Sequence, residues 1–598
     1  MKRVLTMLRD RRGSTMVLAL MVSMFLMVLI TATMALSIVD VQTAQDFTRN
    51  KKTFQAADSG IVHTDAALAL AVSGLSMPPS TTMAQVAGYA EDAESGVTEG
   101  NTDISLLVDV GPNIDQVLPR GETTTQATLE EGSGPTVGYS ADVNITPTEV
   151  EYPVHPDTSD RHIFHYDYEI TSEGDADLNS VHNEATRRQT GEFDVEVKRP
   201  SFSTYGYFTQ GAKNQFGDQL WFYDGEVYGG PTHVNSAPPQ GQCAFWGQAT
   251  FNGPFSAVQE RYEDSLFGGN ANPIFNDTAS WGVQQIALPT NAWSQLRASI
   301  GDLAHIDDLT MPSNAEMRQS LGLSPGTQAV DKGVYYASNY NTGTSLLGGI
   351  FINGNADAIY LDSSGSNQII TVTATSTDGG QFNGTHTWQF TENKGSGTVG
   401  VTYDGGNPQY FSGTLNGMLH TEGMVLNLSG DGNSTTPDVQ ADEGITISAT
   451  GNIVIKDHIT YEEDPATYPD TANIMGIFSS SGNVLIAKTA PSNLLLDATV
   501  MATGTGKGVG AEGIYANGRY DYYYPNKGQW HLTGGLIEHT NQTTGVFYTN
   551  GHVTGYTWDF TYDERFLKGV SPPYFPYVSK YLATLLNMQA RSWGRKYY

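Results

Sequence analysis

Apolar residues follow two different patterns along this chain. From Ser14 to Val39 no charged residue interrupts a run of leucine, methionine, valine and other uncharged residues. About 20 apolar helical residues cross the hydrocarbon core of a bilayer, so this run predicts a transmembrane helix over about residues 16–39. Farther along, apolar and polar residues alternate over short stretches, which is the pattern of β-strands with one buried face.

The predicted helix continues beyond the membrane segment. No proline occurs between Val41 and Leu75. Five apolar residues recur at seven-residue intervals and therefore share one stripe of a helix: Phe47, Phe54, Ile61, Leu68 and Leu75. We expect one long helix over 14–75, apolar all round in its first half. Its amphipathic second half can pack on a folded domain.

Two alternating stretches predict a small antiparallel domain after the helix. They are "HIFHYDYEITSEG", in which Phe164, Tyr166 and Tyr168 share a face, and "GEFDVEVKRPSF", which begins at Gly191. Strict alternation is typical of antiparallel strands that have one buried and one solvated face. We therefore expect an antiparallel β head, packed on the helix, over residues 76–200.

The pattern of apolar and turn residues changes after Ser201. Short apolar stretches recur between Gly and Asn turns, as in "GITISATGNIVIKDHITY" and "SGNVLIAKTAPSNLLLDATV". Such recurrence predicts a large β-solenoid, or β-helix, over 201–570, with a β-sandwich as the alternative. A strongly alternating segment over about 367–417 predicts a hairpin insertion, which is a candidate recognition surface. The predicted fold class is mainly β with a long N-terminal α-helix.

Composition narrows the possible functions. Asp and Glu total 63 against 31 Lys and Arg, which gives a net charge of −32. Broad nucleic-acid binding needs a cationic surface, so this charge argues against it. The single cysteine, Cys243, excludes an internal disulfide. Its setting in "QCAFWG" predicts a buried apolar thiol rather than a nucleophile.

The end of the chain departs from this acidic composition. After Glu564 the sequence contains basic residues and no acid, which defines a basic C-terminal tail over 571–598. Within it, "SKYLATLLNMQARSW" predicts a short amphipathic helix. We expect this tail to dock on the protein's own acidic body. An acidic partner subunit, a phospholipid surface and DNA are the alternatives.

The candidate metal-binding and catalytic residues are few, and they are acidic. The loop "SGDGNSTTPDVQADEG" contains a calcium candidate, Asp431, Asp438 and Asp442, whose spacing is not that of an EF-hand. The acids of "ITYEEDP" are adjacent and cannot all face one cleft, as a pair of catalytic carboxylates would have to. We therefore predict no enzyme, no catalytic residues and no cofactor.

The N-terminus resembles that of PilX-like minor pilins of type IV pili and of pseudopilins. The resemblance extends over about the first 75 residues. It combines a basic segment ending in Gly13, the apolar run, and the box "KKTFQAADSGI" after it. The basic segment contains Lys2, Arg3, Arg9, Arg11 and Arg12 against Asp10. By the positive-inside rule this end stays in the cytoplasm and the bulk of the chain lies outside.

The resemblance implies a role for each part of the helix. Residues 1–13 would be a leader that a prepilin peptidase removes at Gly13–Ser14. Membrane and later filament packing would fall to residues such as Leu18, Leu20, Phe25 and Leu29. The helix box comprises Phe54, Gln55, Ala56, Ala57, Asp58 and Gly60. Implied partners are other pilins, the pilus assembly machinery, the prepilin peptidase and the inner membrane, from which the subunit would pass to the cell surface.

One residue departs from the pilin pattern. Major pilins carry Glu at the fifth mature position, where this chain has Leu18. Subunits without that acid suit a tip or a rare position in the filament.

The region after residue 201 also resembles an uncharacterised extracytoplasmic domain found behind such N-termini, through "YDGEVYGGPTHVNS", "TFNGP" and "GNIVIKDHITYEEDP". That resemblance implies no catalytic residue.

These observations predict a minor pilin-like subunit that initiates or caps a type IV filament and displays the β-domain to a possible surface ligand. The alternative is a membrane-anchored adhesin or envelope protein. A third possibility, which the adjacency of the acids in "ITYEEDP" disfavours, is a β-helix carbohydrate-active enzyme.

Overall fold

The computed structural model describes residues 11–73, 86, 123–130, 136–151, 162–178, 181–236, 243–260, 271–308, 310–338, 346–376, 383–516, 519–548, 551–578 and 582–595. The chain divides into two compact units. The head unit comprises Met1–Val154, Asp160–Lys198 and Lys580–Tyr598, and the solenoid unit comprises His155–Ser159 and Arg199–Ser579. The main segment of the solenoid unit, Arg199–Ser579, is thus inserted in sequence between the last two segments of the head unit.

A single long helix, α1, extends from Arg11 to Ser73. Arg11, Arg12 and Gly13 of the predicted leader are its first described residues, and the rest of the leader lies outside the described part of the chain. The section Met16–Ala69 contains an apolar window of mean hydropathy 2.5, none of which is buried. This long apolar helix fits a single-pass membrane anchor.

The head unit packs the second half of α1 on an antiparallel sheet. Its strands are β1 (Thr123–Glu130), β2 (Thr136–Glu151), β3 (His162–Leu178), β4 (Val181–Lys198) and a C-terminal strand, Leu582–Arg595. They are hydrogen-bonded in that order. Phe164, Tyr166 and Tyr168 of β3 are buried, as their alternation predicts.

Residues Leu582–Arg595 of the C-terminal tail form a strand, so the prediction of an amphipathic helix there is wrong. Residues Leu582–Arg595 pair antiparallel with β4, from Lys198 back to Arg187. Two register shifts, at Leu585/Asn587 and Ala590/Ser592, each add one residue to the strand. These bulges break the period-two alternation, and the interrupted pattern resembles that of a short helix.

The solenoid unit consists of short strands, and the first group extends to residue 281: β5 (Tyr207–Asn214), β6 (Trp221–Tyr223), β7 (Val227–Tyr228), β8 (Thr232–Val234), β9 (Ala244–Trp246), β10 (Thr250–Phe251), β11 (Phe255–Ala257), β12 (Ile274–Phe275) and β13 (Ala279–Trp281). A connection follows that contains the short helices α2 (Trp293–Ser299) and α3 (Asn314–Ser320). Single 3₁₀ turns occur at Phe202–Thr204, Leu303–His305 and Glu564–Lys568.

The second group begins with β14 (Gly333–Ser338), β15 (Leu346–Asn353), β16 (Ala358–Ser364), β17 (Asn367–Ser376), β18 (Gly384–Asn393), β19 (Thr398–Tyr403), β20 (Gln409–Ser412), β21 (Met418–Thr421), β22 (Val425–Ser429), β23 (Gly444–Ala449) and β24 (Ile453–Ile455). It continues with β25 (Ile474–Ser479), β26 (Val484–Ile486), β27 (Leu494–Asp497), β28 (Thr499–Ala502), β29 (Val509–Ala511), β30 (Tyr515–Ala516), β31 (Arg519–Tyr520), β32 (Asn526–Thr533), β33 (Leu536–Asn541), β34 (Gly545–Phe547) and β35 (Val553–Thr561). The C-terminal strand of the head unit is β36.

In the longest sheet, the first strand of the solenoid unit lies in the interior of the sheet and not at one of its edges. Its order is β13-β11-β8-β5-β33-β28-β25-β23-β21-β15-β14, and its pairs are parallel except β14–β15. The chain enters at β5 and builds outward to β13. It then restarts at the other end with β14 and returns until β33 pairs with β5. The two ends of the unit therefore meet, and Ser201 bridges Tyr577.

The solenoid core changes character along its length. Aromatic rings fill the coils of the first group, where Phe251 stacks on Tyr228 at 5.0 Å. Aliphatic ladders fill the coils of the second group, in which Ile447 pairs with Ile477 and Ile477 with Val500. Such in-register stacking of parallel strands is the arrangement of a β-solenoid, which agrees with the predicted mainly β fold.

The segment expected to be a hairpin insertion forms a meander at one edge of a second sheet. Strands β16 to β20 pair antiparallel in sequence order. On the other side β16 pairs in parallel with β22, which belongs to the solenoid. The meander therefore extends a solenoid sheet.

Candidate functional site

The first half of α1 exposes apolar side chains on all sides. Leu18, Leu20, Phe25 and Leu29, which the sequence assigned to membrane and filament packing, are between 50% and 70% exposed. A soluble surface rarely presents a contiguous apolar area of this size. The physical requirement of this segment is therefore an apolar surrounding, either lipid or other helices. Gly13 and Ser14 lie at the start of the same helix.

Polar side chains in this half of α1 bond to the helix itself. The hydroxyl of Ser23 donates to the carbonyl of Leu20 at 2.9 Å. Thr31 donates to Met27 at 2.6 Å, and Thr33 follows the same pattern. In a hydrocarbon environment an unsatisfied hydroxyl is costly. These contacts therefore suit a helix that is surrounded by lipid.

The helix box lies where α1 contacts the head sheet. Ala56 and Ala57 are fully buried, whereas Gln55 is exposed. A Cβ on Gly60 would overlap the Tyr139 ring and the Ser172 hydroxyl, so only glycine fits at this crossing. The small residues of the box therefore allow the helix to approach the sheet closely.

A charged pair flanks this contact. The Arg187 guanidinium of β4 lies 2.7 Å from the Asp58 carboxylate. Its carbon is 5.2 Å from the centroid of the Phe54 ring, within the range of a cation–π contact. Arg187 thus connects two residues of the helix box to the sheet.

Sequence reasoning missed a second polar contact between α1 and the sheet. The Asp65 carboxylate accepts from the Tyr168 hydroxyl at 2.9 Å and from the Gln189 amide at 2.8 Å. Burial raises the pKa of Tyr168 to about 12, so this phenol remains a donor at physiological pH. Asp65 lies two helical turns after Asp58 and so on the same side of α1. This spacing is the only feature of the nearby sequence that points to the contact.

The predicted apolar stripe of α1 is correct only in part. Ile61 and Leu68 are buried, but Phe47 is 71% exposed, and Leu75 lies outside the described residues. The buried face is formed mainly by small residues at helical spacing: Thr53, Ala56, Ala57, Gly60, Ile61, Thr64 and Leu68. A stripe of large apolar residues would hold the helix farther from the sheet.

The calcium candidate does not form a ligand cage. Asp438 is fully buried and accepts backbone N–H groups of Asp431 at 2.8 Å and Thr460 at 2.9 Å. The Asp431 carboxylate accepts from Asn433 within the same loop. Asp442 contributes a backbone carbonyl to Lys394. Within the residues that the structure describes, no three His, Cys, Asp or Glu side chains converge on a common point.

Other candidate groups have structural contacts. Glu462 accepts the backbone N–H of Ala441, and Asp464 bonds to Ala466 and Thr467 two and three residues later. Cys243 is fully buried, and burial raises the pKa of its thiol. A thiol in this state is a poor nucleophile.

One buried acid lies where the two ends of the solenoid pair. Glu538 of β33 has no exposed surface. Its carboxylate is 3.4 Å from the Tyr207 hydroxyl of β5 and accepts the Val509 N–H at 3.3 Å. Burial raises the pKa of Glu538 to about 7. The contact between β5 and β33 therefore includes an acid whose raised pKa favours the protonated form up to about neutral pH.

Comparison with known proteins gives one match. The family model described as Domain of unknown function (DUF4900) matches residues 164–257. The matched segment runs from β3 to β11 and contains "YDGEVYGGPTHVNS" and "TFNGP". It leaves out α1 and most of the solenoid. No curated protein and no solved structure matches the chain.

Proposed function

We propose that this protein is a minor pilin-like subunit, which is anchored in the inner membrane and enters a type IV filament at an initiating or capping position. The observation that carries the proposal is the division of α1. Its first half is exposed and apolar, and its second half is fixed to an antiparallel sheet by Ala56, Ala57 and Gly60. A helix built this way can exchange lipid for neighbouring helices without refolding, because its backbone groups are satisfied internally.

Leu18 favours a rare position in the filament over the repeating shaft. A carboxylate at this place would need a partner when it leaves water, since an unpaired buried charge is costly. Leucine has no such need and offers no charge to a neighbouring subunit. The partners of the proposed subunit are other pilins, the assembly machinery and a prepilin peptidase.

The same residue favours a second candidate function, a membrane-anchored adhesin or envelope protein. With no acid at Leu18, α1 has no specific group for subunit pairing and serves equally as a plain anchor. The two functions differ in the fate of residues 1–13. Filament entry requires their removal, and a plain anchor retains them.

Mass spectrometry of the N-terminus of the native protein tests the proposal. We expect a chain that begins at Ser14, found both in membranes and in filaments sheared from the cell surface. Gly13→Val should leave the chain intact at Met1 and absent from the sheared fraction, whereas Ser14→Ala should behave as wild type. An intact Met1 in the native protein, with none in sheared filaments, would favour the plain anchor.

A further inference from the structure

An aromatic surface lies on the part of the solenoid unit between β30 and β35, and the proposed function does not use it. It consists of Phe216, Tyr515, Tyr520, Tyr522, Tyr523 and Tyr548. Tyr523 is 90% exposed, Tyr522 42% and Phe216 37%. Aromatic rings usually bury most of their area, so this degree of exposure at several neighbouring rings is unusual.

The exposure of Tyr523 is a consequence of an ordered turn. The Asp521 carboxylate accepts the backbone N–H of Tyr523 at 3.0 Å and is bound by the Lys488 ammonium at 3.2 Å. The next residue, Tyr524, is 1% exposed and packs with Ala511 and Ile514 in a small core of its own. The turn thus buries one tyrosine and projects the preceding one into solvent.

Neighbouring rings fix Tyr522 beside it. Tyr548 meets its ring edge-on at 4.8 Å, and the His552 ring lies at 4.5 Å. The His552 imidazole also donates to the Tyr522 carbonyl at 3.0 Å. Tyr523 stands perpendicular to Tyr522, with ring centroids 5.6 Å apart. The Tyr522 ring is therefore held by contacts within the protein before any partner binds, which lowers the entropic cost of binding.

Phe216 extends the surface from another part of the chain. Its ring lies 3.9 Å from that of Tyr515 and 5.7 Å from that of Tyr520. The Gln215 side chain beside it accepts the backbone N–H of Thr543 at 3.0 Å, which ties this loop to the part of the solenoid unit between β30 and β35. Phe216, which is far away in sequence, is thus held against Tyr515 and Tyr520, and Tyr520 lies two residues before Tyr522 in the chain.

Charge limits the choice of partner. At the turn, Lys488 and Asp521 neutralise each other, and the chain as a whole has a net charge of −32. Nucleic acids and acidic polymers are repelled by such a protein. Proline-rich peptides dock in grooves between aromatic rings, whereas Tyr523 projects outward. A neutral partner with flat apolar faces and many hydroxyl groups fits better.

We propose that the aromatic surface binds a neutral polysaccharide. The axial C–H bonds of a pyranose make an apolar face that stacks on a tyrosine ring, and its hydroxyl groups bond to the phenol oxygens. Tyr522 and Tyr523 are the residues that stack on the sugar rings. The proposal does not depend on whether the protein enters a filament, since the surface belongs to the solenoid unit alone.

Affinity electrophoresis of the full chain in detergent tests this inference. The gels contain hydroxyethylcellulose or galactomannan as neutral probes and polygalacturonate as the anionic probe. We expect at least one neutral polymer to retard the protein and Tyr523→Ala to weaken that affinity about tenfold, the effect of losing one stacked ring. Tyr410→Ala is the matched control, because Tyr410 is 71% exposed on the meander and its loss should leave the mobility unchanged.

Three results would overturn the inference. The first is that neither neutral polymer retards the wild-type chain. The second is that a chain with both Tyr522→Ala and Tyr523→Ala is retarded as strongly as wild type. The third is that polygalacturonate, or a proline-rich peptide added as competitor, binds the surface more tightly than the neutral polymers do.

Discussion

Gly174 of β3 lies against the backbone of Ala57 in α1, and a Cβ at this glycine would overlap the Ala57 amide and the Thr53 carbonyl. At Gly174 the head sheet and the amphipathic half of α1 therefore meet without an intervening side chain. Gly60 makes a similar close contact from the helix side, against Tyr139. Two glycines, one on each element, set the distance between helix and sheet.

Gly174→Ala should loosen the attachment of α1. The new methyl group must push the helix backbone away, and overpacking of this kind costs roughly 1–3 kcal/mol. Hydrogen exchange of the helix section 53–64 in the detergent-solubilised chain should accelerate, while exchange in the solenoid unit stays unchanged. Gly211→Ala is the control, since a Cβ there has its nearest neighbour at an ordinary 3.5 Å. Equal protection in both variants would contradict the tight crossing.

Asp58 and Arg187 should contribute a measurable coupling energy. Their side chains are 37% and 16% exposed, so the pair is partly shielded from water and we expect a coupling of about 1 kcal/mol. A double-mutant cycle with Asp58→Asn and Arg187→Gln, followed by urea unfolding of the head unit, measures it. Additive effects of the two changes would mean that the pair contributes nothing beyond its separate packing.

The solenoid unit should lose stability as the pH rises from about 4.5 to 7. Burial raises the pKa of Glu538 from 4.5 to about 7, so over this window the folded chain retains a proton that the unfolded chain has lost. Stability therefore falls with rising pH, by an amount on the order of 3 kcal/mol for a shift of this size. Burial raises the pKa of Asp438 to about 7 as well, which acts in the same direction.

Urea midpoints of the solenoid unit at pH 4.5, 5.5, 7 and 8 measure this dependence. Glu538→Gln keeps a hydrogen-bonding side chain but cannot ionise, so its midpoints should fall less steeply between pH 4.5 and 7 than those of the wild type. Identical slopes for the two chains would show that Glu538 is already ionised in the folded protein at low pH.

The features visible in the sequence are those set by neighbouring residues. The uncharged run before Asp40 predicts the exposed half of α1, and alternation at Phe164 and Tyr166 predicts β3, because each pattern repeats within one element. The mainly β fold with its long N-terminal helix follows from such local patterns, and the structure confirms it. The filament role rests on a resemblance and stays a prediction.

Features that depend on distant pairing were not visible. Nothing near Tyr207 indicates that its strand pairs with β33, more than three hundred residues later in the chain. The bulges near Asn587 conceal a strand that forms only because β4 offers a free edge. Gly174 did leave a signal, since an isolated glycine within a strand pattern often marks a close backbone approach.

Leu29→Arg should impair membrane association. Leu29 lies within the exposed apolar section of α1, and a basic residue near the centre of a spanning helix costs roughly 3 kcal/mol for insertion. The fraction of protein that resists carbonate extraction from membranes should fall. Leu29→Ala, which keeps the segment uncharged, should extract like wild type. If the arginine variant resists carbonate extraction as fully as wild type, the prediction that α1 anchors the protein in the membrane is wrong.

Removing residues 582–598 should destabilise the head unit and leave the solenoid folded. Without β36, the section of β4 from Arg187 to Lys198 becomes an unpaired edge, and such edges promote aggregation. Hydrogen exchange should accelerate in β4 but not in β25. Arg591→Ala is the milder control, because the arginine side chain in its pairs with Asp167 and Glu192 is more than half exposed and such surface pairs each contribute under about 1 kcal/mol. If β4 of the truncated chain stays as protected as in the full chain, β36 is an accessory strand and the first four strands hold the sheet by themselves.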